Sequence, residues 1–245
     1  KSEENYIAQW KYAKNYMDRK EALDFFAKKS MPEIAKGLHD KFSKLKIYTI
    51  QKIAATPYKT DAVVLSDIEE MAKKDNNTKV KAAAINFLVK NGDAKYLPIY
   101  QAAVNDSSYS VAGAAFRGLA ALDTASVYAL AKKFSSDAKG ALGEQVNSAL
   151  LTKGTEADFD FIARSYDKAP PSQEKVGMTN KFAEYLARVN DISKIKTGID
   201  YMMNFRNMIP EQFRSFVDPT FKSAFEKISK AKGAEVEAYI KSVFK

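Results

Sequence analysis

The sequence predicts an all-α protein and, within that class, an α-solenoid built from antiparallel helix pairs. Three observations carry this prediction. Asp75, Asp106 and Asp137 stand 31 residues apart, each opening the same apolar pattern. Five positions after each comes Val80, Val111 or Leu142, then Ala84, Ala115 or Val146, then Leu88, Leu119 or Leu150, which is one helix face written three times. Only 10 Gly and 7 Pro in 245 residues leave little room for the many turns of a β protein. Repeats of this length bury no core alone, so they stack, and a stack presents a long surface suited to holding a partner.

The elements follow in order. Residues 6–14 and 18–29 form the first two helices, the second with Asp18 as N-cap and Glu21 completing a capping box. Residues 31–38 and 42–55 make the next pair, with Leu38, Phe42, Leu45, Ile50 and Ile53 as core and Thr56-Pro57 as the stop. The clear repeats occupy 61–153: helix 61–74 pairs with 78–91, which Gly92 ends in left-handed geometry. Helix 94–105 pairs with 110–122, and 124–135 with 139–152. The first helices repeat too, in the columns Leu97, Tyr128, Phe159 and Ile99, Leu130, Phe161. A looser repeat fills 154–190, where Ala169-Pro170-Pro171 lengthens the connection and Met178, Phe182 and Leu186 keep the second-helix columns after an insertion of about five residues. Three less regular helices, 191–205, 210–229 and 234–244, close the stack with a polar outer face that includes Lys222, Glu226 and Glu237. With 1–60 as diverged N-terminal helices, the chain reads as one domain over 1–245. The beginning Lys1-Ser2-Glu3-Glu4 suggests a piece of a larger protein.

Composition excludes several chemistries. No cysteine is present, which removes thiol nucleophiles and cysteine-held zinc but leaves the compartment open. No apolar run is long enough to span a membrane. His39 is the single histidine, so a His-Glu-x-x-His zinc site cannot form, and no Gly-x-Ser-x-Gly turn presents a serine. No glycine-rich phosphate loop follows a strand. The carboxylate pairs Glu69-Glu70 and Asp158/Asp160 fit solvated helix surface better than acid–base work, and the three spaced aspartates fit turn and helix-start geometry. The net charge of +9 invites a nucleic-acid partner. Nearly all of it is lysine spread among carboxylates, however, whereas phosphate and guanine readers favour arginine. What remains is the outer face of the second helices. Stepping by 31 from Asn86 gives Arg117 and Ser148, flanked by Lys79 and Lys90, and this column is the expected contact surface.

The pattern Asp75-x-x-x-x-Val80-Lys81-x-x-Ala84-Ile85-x-x-Leu88 resembles HEAT repeats. The second copy departs at Ala112 and the third at Leu142-Gly143, which interrupts any ladder of acidic and basic side chains. A narrower resemblance comes from Tyr12-Ala-Lys-Asn-Tyr16-Met-Asp18-Arg19-Lys-Glu21-Ala22-Leu23 followed by Leu38-His39-Asp40-Lys41-Phe42 and the helical repeats. This series is similar to the C-terminal helical domain of bacterial family M1 zinc aminopeptidases, the aminopeptidase N group. The resemblance implies a non-catalytic domain that caps the catalytic cleft and restricts access to unstructured peptides. It also implies zinc in the parent protein, no cofactor in this chain, and as partners the catalytic domain of the same polypeptide and a peptide substrate. A cytoplasmic, periplasmic or secreted bacterial protein would all fit. The alternatives are a free-standing scaffold that grips a protein or peptide on the Asn86/Arg117/Ser148 face, and a basic nucleic-acid-binding protein.

Overall fold

The structure, a computed structural model, describes residues 1–244, and every regular element among them is helical. The chain divides into two compact units, Lys1–Val127 with Ala138–Gln145, and Tyr128–Asp137 with Val146–Lys245. In the first lie α1 (Glu3–Tyr12), α2 (Tyr16–Phe26), α3 (Met31–Ala35), α4 (Ser43–Ala55), α5 (Ala62–Lys74), α6 (Thr78–Asn91), α7 (Leu97–Ala103) and α8 (Tyr109–Leu122). Next come α9 (Val127–Phe134) and α10 (Gly140–Lys153), and then α11 (Phe159–Lys168), α12 (Gln173–Leu186), α13 (Ile192–Met208), α14 (Glu211–Lys232) and α15 (Ala234–Val243). Short 3-10 turns continue α3 and precede α7 and α11.

Local chemistry sets the boundaries. Asp61 caps α5 by accepting the Val64 N–H, Gly92 ends α6 at φ 67°, and Thr56, extended before Pro57, ends α4. The start of α2 corrects the sequence reading. Asn15 is the N-cap, accepting the Asp18 N–H at 2.9 Å, and its own amide donates to the Asp18 carboxylate at 2.6 Å. The reciprocal cap therefore lies three residues earlier than expected, and Glu21 instead receives Lys1 and Gln9.

In the first unit the second helices form a continuous layer, α4 on α6 and α6 on α8, while α5 packs on α6 and α7 on α8. The inner face of α6 and α8 is the repeated one. Val80, Ala84, Leu88, Val111 and Ala115 are fully buried, and Leu119 is half-buried. Each large side chain removed from water in this way contributes about 1.5–3 kcal/mol. For the first helices the period is right and the expected columns hold in part. Ile99 and Phe159 are buried, whereas Leu97, Tyr128, Leu130 and Phe161 are only half-buried, and Tyr96 and Val127, and Tyr100, Ala131 and Ile162, are buried at the same 31-residue step.

Helix α8 comes close to its neighbours because two of its residues lack side chains. A Cβ on Gly118 would stand 2.6–2.7 Å from the Tyr100 ring, and one on Gly113 2.6–2.7 Å from the backbone of Ala141 and Leu142. In the second unit the core is aromatic. Tyr166 stacks on Phe182 with centroids 4.4 Å apart and meets Phe205 edge-on at 6.4 Å, and Phe205 leads to Phe221 and Phe225. Helices α11, α12, α13 and α14 bring these rings together.

Two glycine substitutions should therefore act in opposite directions. Gly113→Ala forces a methyl into backbone and should lose about 1–3 kcal/mol. Gly177→Ala, inside α12 with nothing within 4 Å of its Cβ position, should gain up to about 1 kcal/mol from helix propensity. Urea unfolding followed by circular dichroism measures both.

Candidate functional site

The expected contact column has definite positions in the structure. Asn86 is half-buried on α6 and Arg117 is exposed on α8, 31 residues later. The Arg117 guanidinium donates to the Asn86 side-chain oxygen at 2.9 Å. Lys79 and Lys90 are exposed near opposite ends of α6, about 16 Å apart along the helix axis at 1.5 Å per residue. They do not join the Asn86–Arg117 pair. Ser148 is half-buried on α10, and its carbonyl accepts the Thr152 hydroxyl at 2.9 Å.

Two of the three spaced aspartates, Asp75 and Asp106, do two jobs each. Asp75 accepts the Asn77 N–H at 2.8 Å and Asp106 the Ser108 N–H at 2.9 Å, so each holds the residue that caps the following helix. Their second oxygens reach the preceding repeat: Lys46 binds Asp75 and Lys81 binds Asp106, both at 2.9 Å. The series stops there. The position that would serve Asp137 is Ala112, and Asp137 accepts from the Ser136 hydroxyl instead.

Asp158 departs from the solvated-surface expectation, because its side chain is 1% exposed. It accepts from Lys132, from the Tyr128 hydroxyl at 2.9 Å and from the Thr155 N–H at 2.9 Å. Burial pushes its pKa up, but these donors outweigh it and hold the carboxyl below its ordinary value. Asp106 is shifted the same way, burial being overcome by Lys81 and the Ser108 N–H. The signal that could have found Asp158 is its place in the 31-residue column of Tyr96 and Val127, where a carboxylate must be buried and so must be paired.

The densest polar constellation lies at the N-terminal end. Arg19 is 15% exposed and the Asp40 side chain not at all. The guanidinium pairs with Asp40 through both Nε and an Nη, donates to the Trp10 carbonyl at 2.6 Å, and lies 4.4 Å over the Trp10 ring. The other Asp40 oxygen accepts the N–H of Phe42, the N-cap of α4, at 2.9 Å. One ion pair thus ties the end of α1, the first turns of α2 and the start of α4. The sequence series 12–23 and 38–42 contains both of its partners, although spacing alone does not pair them.

Chemistry at other positions is limited. His39 Nε2 faces Asp67 at 2.9 Å on the surface. Among the described residues no group of three or more His, Asp or Glu stands together in a way that could hold a metal ion. No helix among them is long and apolar enough to cross a membrane. No protein-family model matches the chain, and no curated protein matches it in sequence.

A pH prediction follows from Asp158. Its folded pKa is depressed, so its contribution is fully present above the unfolded value of about 3.9 and is lost as pH falls through the folded value. Asp158→Asn should cost about 1–3 kcal/mol at neutral pH. That difference from the unsubstituted protein should shrink below about pH 4, as unfolding titrations at several pH values would show.

Proposed function

We propose that the chain is a non-catalytic, HEAT-like solenoid domain of a family M1 zinc aminopeptidase, one that caps the catalytic cleft and limits access to extended peptides. The observation that carries this reading is the Arg19–Asp40 lock. The resemblance rests on two short segments, and these are the segments that the buried pair joins to Trp10 and to the start of α4. A motif held by a solvent-excluded ion pair is constrained physically, because removing either partner strands a buried charge at a cost of about 3–5 kcal/mol. The solenoid element is supported by the layering of α4, α6 and α8 and by burial recurring at the 31-residue step. Zinc, in this reading, belongs to the catalytic domain of the same polypeptide.

The size of the native polypeptide tests this. An antibody against the 245 residues should detect a band several times larger than the 27.3 kDa of this chain in the source organism. Material captured by that antibody should release N-terminal residues from peptides, and a zinc chelator should stop the release. A native band near 27.3 kDa overturns the reading.

A second reading, a free-standing scaffold for a protein or peptide, is favoured by the pairing of exposed Arg117 with half-buried Asn86 on neighbouring second helices. A solenoid's second helices line its concave surface, where such a pair meets a bound chain. On this reading Arg117→Glu lowers capture of extended peptides from a random library by about tenfold or more, with unchanged helicity by circular dichroism. Equal capture by the variant counts against it.

A further inference from the structure

We propose that the groove between α11 and α13 binds a free α-amino acid, its carboxylate on Arg164 and its ammonium on Asp160. The groove encloses about 270 Å³, enough for one amino acid, and Phe159, Ala163, Arg164, Ser193, Lys194 and Tyr201 are among its lining residues, with Asp160 at its edge. Phe159 and Ala163 are buried and form an apolar floor, and the half-buried Tyr201 ring forms a wall.

What sets this groove apart is that its charges are unspent. A larger hollow of about 430 Å³ near the start of α6 is lined by Lys46, Lys74, Glu70 and Asp75, but there Lys46 pairs with Asp75 and Lys74 with Glu70. Between α11 and α13 only Lys194 is engaged, 3.8 Å from Glu156 and 5.9 Å from the Phe159 ring centroid. Asp160 and Arg164 are exposed, and among the described residues neither has an ion-pair or side-chain hydrogen-bond partner; nor do the Tyr201 and Ser193 hydroxyls.

Asp160 and Arg164 are four residues apart on α11, so they share a face with Cβ atoms about 5–6 Å apart. One turn of helix thus offers an anion and a cation at the separation a zwitterion spans through its Cα. The competing contact is the two residues' own ion pair, worth only about a factor of two in equilibrium at an exposed helix position. A ligand satisfying both ends and laying an apolar side chain on the Phe159 floor outweighs it. The Tyr201 and Ser193 hydroxyls add donors for the ligand carboxylate. The proposal stands on the groove alone and does not depend on the peptidase reading, although a free amino acid is what an aminopeptidase releases.

Titrating the 245-residue chain with L-leucine and following amide ¹H–¹⁵N shifts tests it. Saturable shifts should be confined to 159–164 and 193–201. Asp160→Asn and Arg164→Gln should each weaken binding by about tenfold or more, as should N-acetyl-leucine or leucinamide in place of leucine, since each removes one charge-assisted contact. Both positions are exposed, so the variants keep the fold, and circular dichroism checks that. Absence of a saturable shift overturns the proposal. So does binding that survives either substitution, or blocked analogues that bind as well as leucine, which would mean adsorption of a single charge.

Discussion

The first unit depends on how closely α8 approaches its neighbours. Seven of its residues, Val111 through Phe116 and Gly118, are buried, so it is enclosed on most of its circumference by α6, by α7 and by the start of α10. A helix enclosed in this way cannot carry large side chains everywhere. Gly118 lets the Tyr100 ring lie flat against the α8 backbone, and Gly113 lets the chain at Ala141 pass within van der Waals reach. Interiors are packed as densely as organic crystals, so these contacts leave no slack for an added methyl. The repeat is regular in its large residues because α8 is allowed to be small in these two places.

The period of the fold was legible in the sequence, and the faces less so. The step of 31 residues, the limits of α6, the Asp61 cap and the Gly92 stop follow from local chemistry that a sequence states directly. The first-helix columns held only at Ile99 and Phe159, because each of these helices buries residues on both sides of the expected positions, Tyr96 just before and Tyr100 on α7, and Val127 and Ala131 on α9, and an apolar period alone does not choose among such neighbours. The cap of α2 was misplaced because Asn15 and Asp18 are both good caps, and only the extended backbone at Asn15 decides between them. Asn86 and Arg117 met as their spacing implied, since equivalent positions on adjacent second helices face one another. Lys79 and Lys90 share only a helix with that pair. The Arg19–Asp40 pair, and the choice of Lys132 as the partner of Asp158, lay beyond reach, because long-range pairing of charges depends on packing that no periodicity encodes.

The distribution of charge explains why a net +9 does not by itself mark a nucleic-acid surface. Many of the lysines are committed to carboxylates of neighbouring helices, as in Lys46–Asp75, Lys81–Asp106, Lys132–Asp158, Lys196–Glu235 and Lys227–Glu184. Apart from Lys132–Asp158, whose carboxylate is buried, these pairs fix a helix start or a crossing more than they add stability, since a partly exposed ion pair is worth about 0–1 kcal/mol. Aspartates two residues ahead of a helix cap are especially useful in this role. One oxygen orders the cap and the other reaches the previous helix pair, so turn geometry and stacking are set by the same carboxylate.

The lengthened connection after α11 is accommodated by local chemistry. Pro170 and Pro171 have no N–H to return to the last carbonyls of α11, so those acceptors would be left without a donor beside the aromatic core. Lys175, on the first turn of α12, supplies it. Its ammonium donates to the carbonyls of Asp167 at 3.0 Å and Ala169 at 2.8 Å, and lies 5.1 Å from the Tyr166 ring and 4.8 Å from the Phe205 ring. The residue is 3% exposed, and burial pulls its pKa below the ordinary lysine value. The charge remains tolerable there because it sits at the negative end of α11 and on two ring faces, which replace much of the water it gives up. The insertion that loosens the sequence period is therefore closed by a single buried cation, and Phe182 and Leu186 stay fully buried at the expected positions while Met178 is half-buried.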